Sequence, residues 1–484
     1  MIEIHTPDWV KHAVFYQIFP DRFAKSDKLV KPNNLEAWDS PPTVEGYKGG
    51  DLLGAVEHLD YIQDLGATAI YFTPIFQSAS NHRYHTHDYY QVDPMLGGNS
   101  ALHTLLDEAH KRNIKVVLDG VFNHASRGFF YFNTILEHGP HSPWIDWFIV
   151  KGWPLSPYDG SKPANYESWG DNRALPKLNT ENPQVREYIM QIAEYWIRQG
   201  IDGWRLDVPF EIKTEGFWQE FRQRVKAINA DAYIVGEVWR DARQWLQGDQ
   251  FDGVMNYLFT EAVIAFTASS PIRPETLQDR SYDPSKALSG SGYAERIDWL
   301  LHLYPWEITL AQMNLLDSHD TARMLNIVNG DKAAVRLATL LLMTYPGTPS
   351  IFYGDEIGLP GELDPDSRRT ILWDRPETWD TEALAYHKAM IAMRRAHPVL
   401  QTGAYHQLYA DDDVYAFARS DDRATLLVVV NVAGETRTIA VPVSEVLNEG
   451  TRLEAIFGHA TTKVERGQVI VDVPARDGIV LGRA

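Results

Sequence analysis

Short apolar runs alternate with amphipathic stretches over most of the chain, the pattern of parallel strands joined by crossover helices. The runs fall at 13–19, 67–73, 115–121, 203–208, 232–238, 253–257, 312–316 and 350–353. Eight such runs with helices between them predict an α/β fold, a (β/α)₈ barrel. Leu52, Leu53, Val56, Leu59, Ile62 and Leu65 recur at helical spacing, and Gly66 ends that run just before the second strand. Ser100 stands where an N-cap is expected for a helix carrying Leu102, Leu105, Leu106 and Ala109. Pro183 suits the first position of a helix with Val185, Ile189, Ile192 and Trp196 on one face.

Two regions break the alternation. Between the third strand and Pro183 lies a long stretch punctuated by proline and glycine, holding Phe129, Phe130, Trp144, Trp147, Trp153, Tyr158 and Trp169. A loop of that length reads as a functional element or a small subdomain, its aromatics mostly subdomain core. After about residue 400 the period changes to two, in the runs 414–419, 426–430, 438–443 and 469–473. These predict a terminal antiparallel β-sandwich. The organisation is then a barrel of residues 1–124 and 180–399, an inserted subdomain of 125–179 and a sandwich of 400–484. Asp411, Asp412 and Asp413 read as a solvated turn.

Composition narrows the chemistry. With 44% hydrophobic and 23% charged residues in 484, disorder, collagen and coiled coil are excluded. No window approaches the 18 or more apolar residues of a spanning helix. The first fifteen residues lack the basic end, apolar block and cleavage site of a leader, so a cytoplasmic location is expected. Cysteine is absent, which removes disulfides, thiolate metal sites and thiol catalysis. Sixty-five acidic side chains against 45 basic ones leave a net charge of −20, which repels nucleic acid and anionic lipid. A neutral ligand fits better, and 15 Trp, 23 Tyr and 19 Phe supply flat faces for sugar rings.

Barrel sites gather at the carboxyl ends of the strands, so the polar residues there are the candidates. Asn81, His82, Tyr84 and Asp88 follow the second run; Asp119, Asn123 and His124 sit at the third; Arg205 and Asp207 end the fourth. Glu237 and Trp239 end the fifth, His319 and Asp320 the seventh, and Asp355 and Glu356 follow the eighth. Asp207, Glu237 and Asp320 would thus converge on one mouth. Two carboxyls flanking a bond, one protonated and one ionised, are what glycoside hydrolysis needs, and their crowding raises one pKa. Arg205 beside Asp207 would keep that carboxylate charged and oriented, as a nucleophile requires.

The segments Asp119-Gly-Val-Phe-Asn-His124, Gly203-Trp-Arg-Leu-Asp207-Val, Glu237-Val-Trp239 and Leu316-Asp-Ser-His319-Asp320 resemble, in order and spacing, the four signature regions of the α-amylase superfamily, glycoside hydrolase family thirteen. The resemblance covers nearly the whole chain, including a B subdomain after strand three and a C-terminal sandwich. It implies a retaining mechanism with Asp207 as nucleophile, Glu237 as general acid/base and Asp320 as transition-state stabiliser. It also implies that His124, Arg205 and His319 hold the reacting sugar on Tyr84, with Asp119 anchoring the strand-end loops. A retaining pair of carboxyls is expected about 5 to 5.5 Å apart.

Leu175-Pro-Lys-Leu-Asn179, Glu211 and Ser80-Asn-His-Arg-Tyr84 resemble the neopullulanase, cyclomaltodextrinase and maltogenic amylase group. By that resemblance Asp364 and Arg368 clamp a donor-side sugar, while Trp239 lies on the acceptor side, where Glu211 also influences the acceptor. The expected activity is hydrolysis of α-1,4 bonds in maltooligosaccharides, cyclodextrins and pullulan, with some transglycosylation, by a monomer or homodimer. The group usually carries an N-terminal β-domain; with the barrel beginning almost at Met1, a chain lacking that domain is expected. Its calcium loop is partly kept in Asp27, Gly49 and Asp51, but Lys25 stands where an Asn ligand is expected. A hard cation wants six to eight oxygens, so no cofactor is expected. Four alternatives stay open: an α-glucosidase, a 4-α-glucanotransferase, an inactive carbohydrate-binding relative, and a metal-dependent hydrolase using His85 and His87.

Overall fold

The computed structural model describes residues 4–277 and 282–484. Eight parallel strands form its centre: β1 (Phe15–Ile18), β2 (Ala69–Phe72), β3 (Lys115–Gly120), β4 (Gly203–Leu206), β5 (Tyr233–Gly236), β6 (Gly253–Val254), β7 (Met313–Asn314) and β8 (Thr348–Phe352). They pair in the order β6-β5-β4-β3-β2-β1-β8-β7. A parallel bridge from Met255 to Met313 joins the two ends and closes the barrel. The strands are buried on both faces, which is why they read as continuous apolar runs rather than alternating ones. Phe15, Tyr71, Val117, Tyr233, Val235 and Met313 fill the lumen. A larger apolar layer, including Ile70, Leu118, Ile189, Trp196, Ile234 and Leu341, packs the strands against the surrounding helices.

Local chemistry explains most element ends. Asn182 accepts the Gln184 N–H and Pro183 opens the helix Pro183–Gln199, as its sequence implied. Gly66, at φ 99°, ends the helix Leu59–Leu65 in the left-handed conformation that glycine takes without penalty. The stretch 52–65 is two helices rather than one, because His58 leaves helical geometry, bonds the Gly54 carbonyl and packs on Trp373. Ser100 is not an N-cap. The helix Gly98–Lys111 starts earlier, where Gly97 at φ 100° turns the chain, and the Ser100 hydroxyl donates back to the Gly97 carbonyl.

Two excursions build the mouth of the barrel. After β2 the chain forms a hairpin of Phe76–Ser78 and Thr86–Val92. After β3 comes a largely irregular insertion with one helix, Phe130–His138, tied by bridges between Phe148 and Leu178 and between Val150 and Tyr166.

The C-terminal part is antiparallel: β9 (Ala404–Ala410), β10 (Val414–Ser420), β11 (Thr425–Asn431), β12 (Arg437–Pro442), β13 (Arg452–Phe457), β14 (Thr461–Lys463), β15 (Gln468–Val473) and β16 (Asp477–Arg483). Six pair in the order β9-β10-β11-β16-β13-β14, and β12 pairs with β15 across a core that includes Val429, Ile439, Val441 and Val471. The turn at 411–413 is a docking element rather than a merely solvated one. Arg437 pairs with Asp411 and Asp413 at 3.1 and 2.8 Å, and the Asp411 and Asp412 carbonyls accept the Ser291 and Gly290 N–H groups at the start of a barrel helix.

Candidate active site

The strand ends of β3, β4 and β5 meet on one side chain. Arg205 is fully buried. Its Nη1 donates to both Asp119 oxygens at 3.1 and 3.0 Å and to Asp207 Oδ1 at 3.1 Å, and its Nη2 lies 3.0 Å from Glu237 Oε2. Three carboxyls around one guanidinium are electrostatically frustrated. Burial pushes Asp119 up to about 6 against the pull of Arg205. Burial, then the neighbouring Glu237 carboxylate, hold Asp207 well above its ordinary value. Crowded carboxyls in a buried site drive their pKa values apart, the condition an acid and a nucleophile working side by side require.

Glu237 is gripped from two further directions. The Trp239 indole donates to its Oε1 at 2.9 Å, and the Val208 backbone N–H donates to its Oε2 at 3.1 Å. Val208 reaches that position at φ 34°, ψ 51°, a left-handed conformation costly for a β-branched residue. The strain sits directly after Asp207, where it turns a main-chain donor onto the second carboxyl.

Asp320 lies across the mouth, with Oδ2 3.3 Å from His319 Nε2 and Oδ1 3.6 Å from Arg368. Arg368 pairs with Asp364 at 2.9 Å and is itself buried, so the two are part of the mouth rather than a surface pair. Tyr84 donates to Asp119 at 3.0 Å and its ring stacks on His319 at 5.6 Å. His124 stacks on Trp169 at 5.4 Å, and its Nε2 is buried without a protein partner. Burial holds the His124 ring down to about 3, which leaves it neutral.

A cavity of about 240 Å³ opens over these groups, lined by Tyr84, His124, Asp207, Glu237, Asp320, Asp364 and Arg368. Two expected contacts are not part of it. Trp239 is buried behind Glu237 with one face covered by Tyr257, ring centroids 3.5 Å apart, so it holds the acid instead of presenting a platform to the cavity. Glu211 is held by Lys177 at 3.2 Å, pinning the Leu175–Asn179 segment to the loop after β4. Conversely Trp169, Asn172, Leu175 and Val208 line the cavity without having been singled out as ligands, and His82, a strand-end candidate, and His85, a candidate metal donor, line it as well. His85 is partly accounted for: it faces the cavity beside His82, while His87 abuts the backbone of Gly128. Among the described residues no group of three or more His, Asp or Glu is arranged to hold a metal ion, which leaves the metal-hydrolase alternative without a donor set. A second cavity, about 330 Å³, lies behind β7 and β8 among Leu316, Met324, Val335 and Leu342, away from these acids.

Comparison with known proteins agrees with this arrangement. Residues 17–390 match the family described as alpha amylase, catalytic domain, and residues 405–475 the neopullulanase-like C-terminal domain. The chain is 43% identical to neopullulanase 2 of Thermoactinomyces vulgaris over 98% of its own length and 78% of that protein. It superposes on the native debranching enzyme of Nostoc punctiforme with a TM-score of 0.93 at 59% identity, covering 99% of this chain and 100% of that one. It superposes on the cyclic α-maltosyl-(1→6)-maltose hydrolase of Arthrobacter globiformis with a TM-score of 0.88 at 35% identity, covering 99% and 100%. With Asp207, Glu237 and Asp320 on the barrel strand ends where that family's signature segments fall, the chain belongs to the α-amylase family of glycoside hydrolases.

Proposed function

We propose that the protein is a retaining α-glucan hydrolase acting on α-1,4 bonds of maltooligosaccharides and cyclodextrins, with some transfer to sugar acceptors. The observation that carries this reading is the suspension of Asp207 and Glu237 from one buried guanidinium beneath an aromatic-lined cavity. Two carboxyls each within 3.1 Å of one guanidinium can flank a single bond, and the choice of direct attack over a water-mediated one follows the family resemblance. Asp207 attacks the anomeric carbon while Glu237 gives its proton to the departing oxygen. Glu237 then takes a proton from water, which releases the sugar from Asp207. Asp320 faces the cationic ring between these steps, and Tyr84, His124, His319 and the Asp364–Arg368 pair fix its position. A second reading, cleavage of α-1,6 branch points, is favoured by the 59% identity to a solved debranching enzyme.

Chromatography of products from β-cyclodextrin, maltotriose, pullulan, starch and a branched dextrin, with Asp207→Asn as the blank, tests both. Opening of the cyclodextrin to maltose and glucose, with little attack on starch, is the expected result. Release of linear chains from the branched dextrin with cyclodextrin untouched would replace it by the second reading. Activity retained in the blank would remove the assignment of the nucleophile.

We also propose that no metal is needed. Supporting this, the Asp51 oxygens accept from Gly54 N, Ser26 N and Lys31 Nζ at 2.8 to 2.9 Å, and Asp27 is exposed. Those residues do not fit a calcium ion, because an ammonium already occupies the cationic position. Exhaustive chelation is expected to leave the melting temperature unchanged, and added calcium to leave it unchanged as well; a rise of several degrees with calcium would overturn the proposal. A cytoplasmic location is proposed with it, in keeping with the absence of cysteine. No helix among the described residues is long and apolar enough to cross a membrane.

A further inference from the structure

Gln17 is a polar side chain in the middle of β1, 1% exposed, on a strand whose other residues are Phe15, Tyr16 and Ile18. Its Nε2 lies 2.7 Å from His319 Nδ1. The other imidazole nitrogen, Nε2, is 2.6 Å from the Tyr84 hydroxyl oxygen and 3.3 Å from Asp320 Oδ2. One arrangement of protons satisfies every contact along this chain. Burial, then the Asp119 carboxylate, keep the Tyr84 phenol protonated. Its hydrogen goes to Asp119 Oδ2 at 3.0 Å, so its oxygen is left to accept. The donor to that oxygen is then His319 Nε2–H. Nδ1 carries the lone pair, and a side-chain amide can supply the matching N–H.

We infer that Gln17 is a positioning residue that holds His319 as the neutral tautomer with its proton on Nε2, ready to donate to a sugar hydroxyl. The inference rests on the reading of this mouth as a glycosidase site. Glutamine suits the task because it donates to Nδ1 without adding charge. A carboxylate there would favour the imidazolium, which would pair with Asp320 and spend the negative charge that faces the reacting sugar. The charged and titratable groups around His319 are Asp320, Tyr84 and Asp119 beyond it, His82, Arg205 and Arg368, whose Nε donates to the His319 carbonyl. None of them can supply the N–H that Nδ1 needs, since Nδ1 faces β1.

The test is ¹⁵N NMR of histidine-labelled protein, with the His319 signals among the 17 histidines assigned by their loss in His319→Gln. Wild type is expected to show His319 neutral and protonated on Nε2 at pH 7. Gln17→Glu is expected to show both nitrogens protonated and kcat/KM about tenfold lower at pH 6, recovering as pH rises through the imidazolium's titration. Gln17→Met, which removes the donor without adding charge, is expected to lose a similar factor with no such recovery. A wild-type His319 protonated on Nδ1, or already an imidazolium at pH 7, overturns the inference; the state is read on wild type, the variant serving only for assignment. Unchanged His319 signals and an unchanged pH profile in Gln17→Glu overturn it as well. Because the tautomer is read without substrate, its failure is distinguishable from an error in the proposed activity.

Discussion

Glu237→Gln lowers kcat on cyclodextrin or maltotriose by about a thousandfold, the middle of the range for loss of a general acid, while KM moves little. The amide keeps the shape of the carboxyl, but its oxygen can accept from only one of the Val208 and Trp239 N–H groups and its NH2 faces the other, so the melting temperature is measured beside the kinetics. The informative measurement is the pH profile. Asp207 is held well above its ordinary value, by burial first and by the Glu237 carboxylate once that group has lost its proton. Asp207 must be ionised to attack, so activity is lost as pH falls through its titration. The amide is uncharged, as the protonated acid of the working enzyme is, so that acid limb stays in place and only the alkaline limb, set by loss of the acid's proton, is shifted out of the profile. An α-glucosyl fluoride, whose leaving group departs without a proton, makes the shift visible by restoring turnover in the variant. A thousandfold loss with fluoride as well as with maltotriose would mean that Glu237 does more than donate a proton. An acid limb that moves would mean that Glu237 is already ionised while Asp207 takes up its proton, and would remove Glu237 as the acid.

The three acids were legible in the sequence because a barrel confines chemistry to strand ends, and a strand end is easy to locate when a buried apolar run stops at Asp207 or Glu237. The second layer was not. Trp169 lies in an insertion whose aromatics mostly pack on one another, and nothing in their spacing separates the one that faces His124. Trp239 follows Glu237 by two residues, which says that both point the same way from the chain but not that the indole N–H turns back onto the carboxyl. Val208 is ordinary in sequence; only its φ reveals that it has been bent to present an N–H. Gln17 carried a signal that could have been read, since a polar residue in a strand buried on both faces must have a partner. Lys25 was noticed as a poor calcium ligand, whereas the ammonium that pairs with Asp51 belongs to Lys31, placed there by a loop without periodic pattern. In the terminal sandwich the fully apolar strands were evident, but the half-exposed β9 and the short β14 lack alternation strong enough to mark them.

The largest effect on stability is expected where the barrel meets the sandwich. Arg394 and Arg419 are both fully buried, and neither pairs with a carboxylate among the described residues. Arg394 donates to the carbonyls of Met343, Tyr345, Leu400 and Gly347, and Arg419 to those of Thr344, Leu400 and Gly403. Several of these are the last carbonyls of the helix Lys332–Thr344, which lack partners within the helix and carry the negative end of its dipole. Two effects oppose each other in Arg419→Met. Burial pushes both guanidinium groups down to about 9, and Arg419 adds to the effect on Arg394, so removing one relieves desolvation and repulsion. Against this, the substitution strips the Thr344 and Gly403 carbonyls of their donors in a place water does not reach, at about 1–3 kcal/mol for each orphaned group. The orphaned carbonyls win, and a net loss of about 2–4 kcal/mol is expected as a lower urea midpoint. The double variant Arg394→Met/Arg419→Met is expected to cost more than the two single losses together, because Leu400 keeps one donor in either single variant and has none in the double, and because the relief of like-charge repulsion is gained once rather than twice. A more stable Arg419→Met would show that the buried charge outweighs its hydrogen bonds, and strict additivity would show that the two arginines do not sense each other.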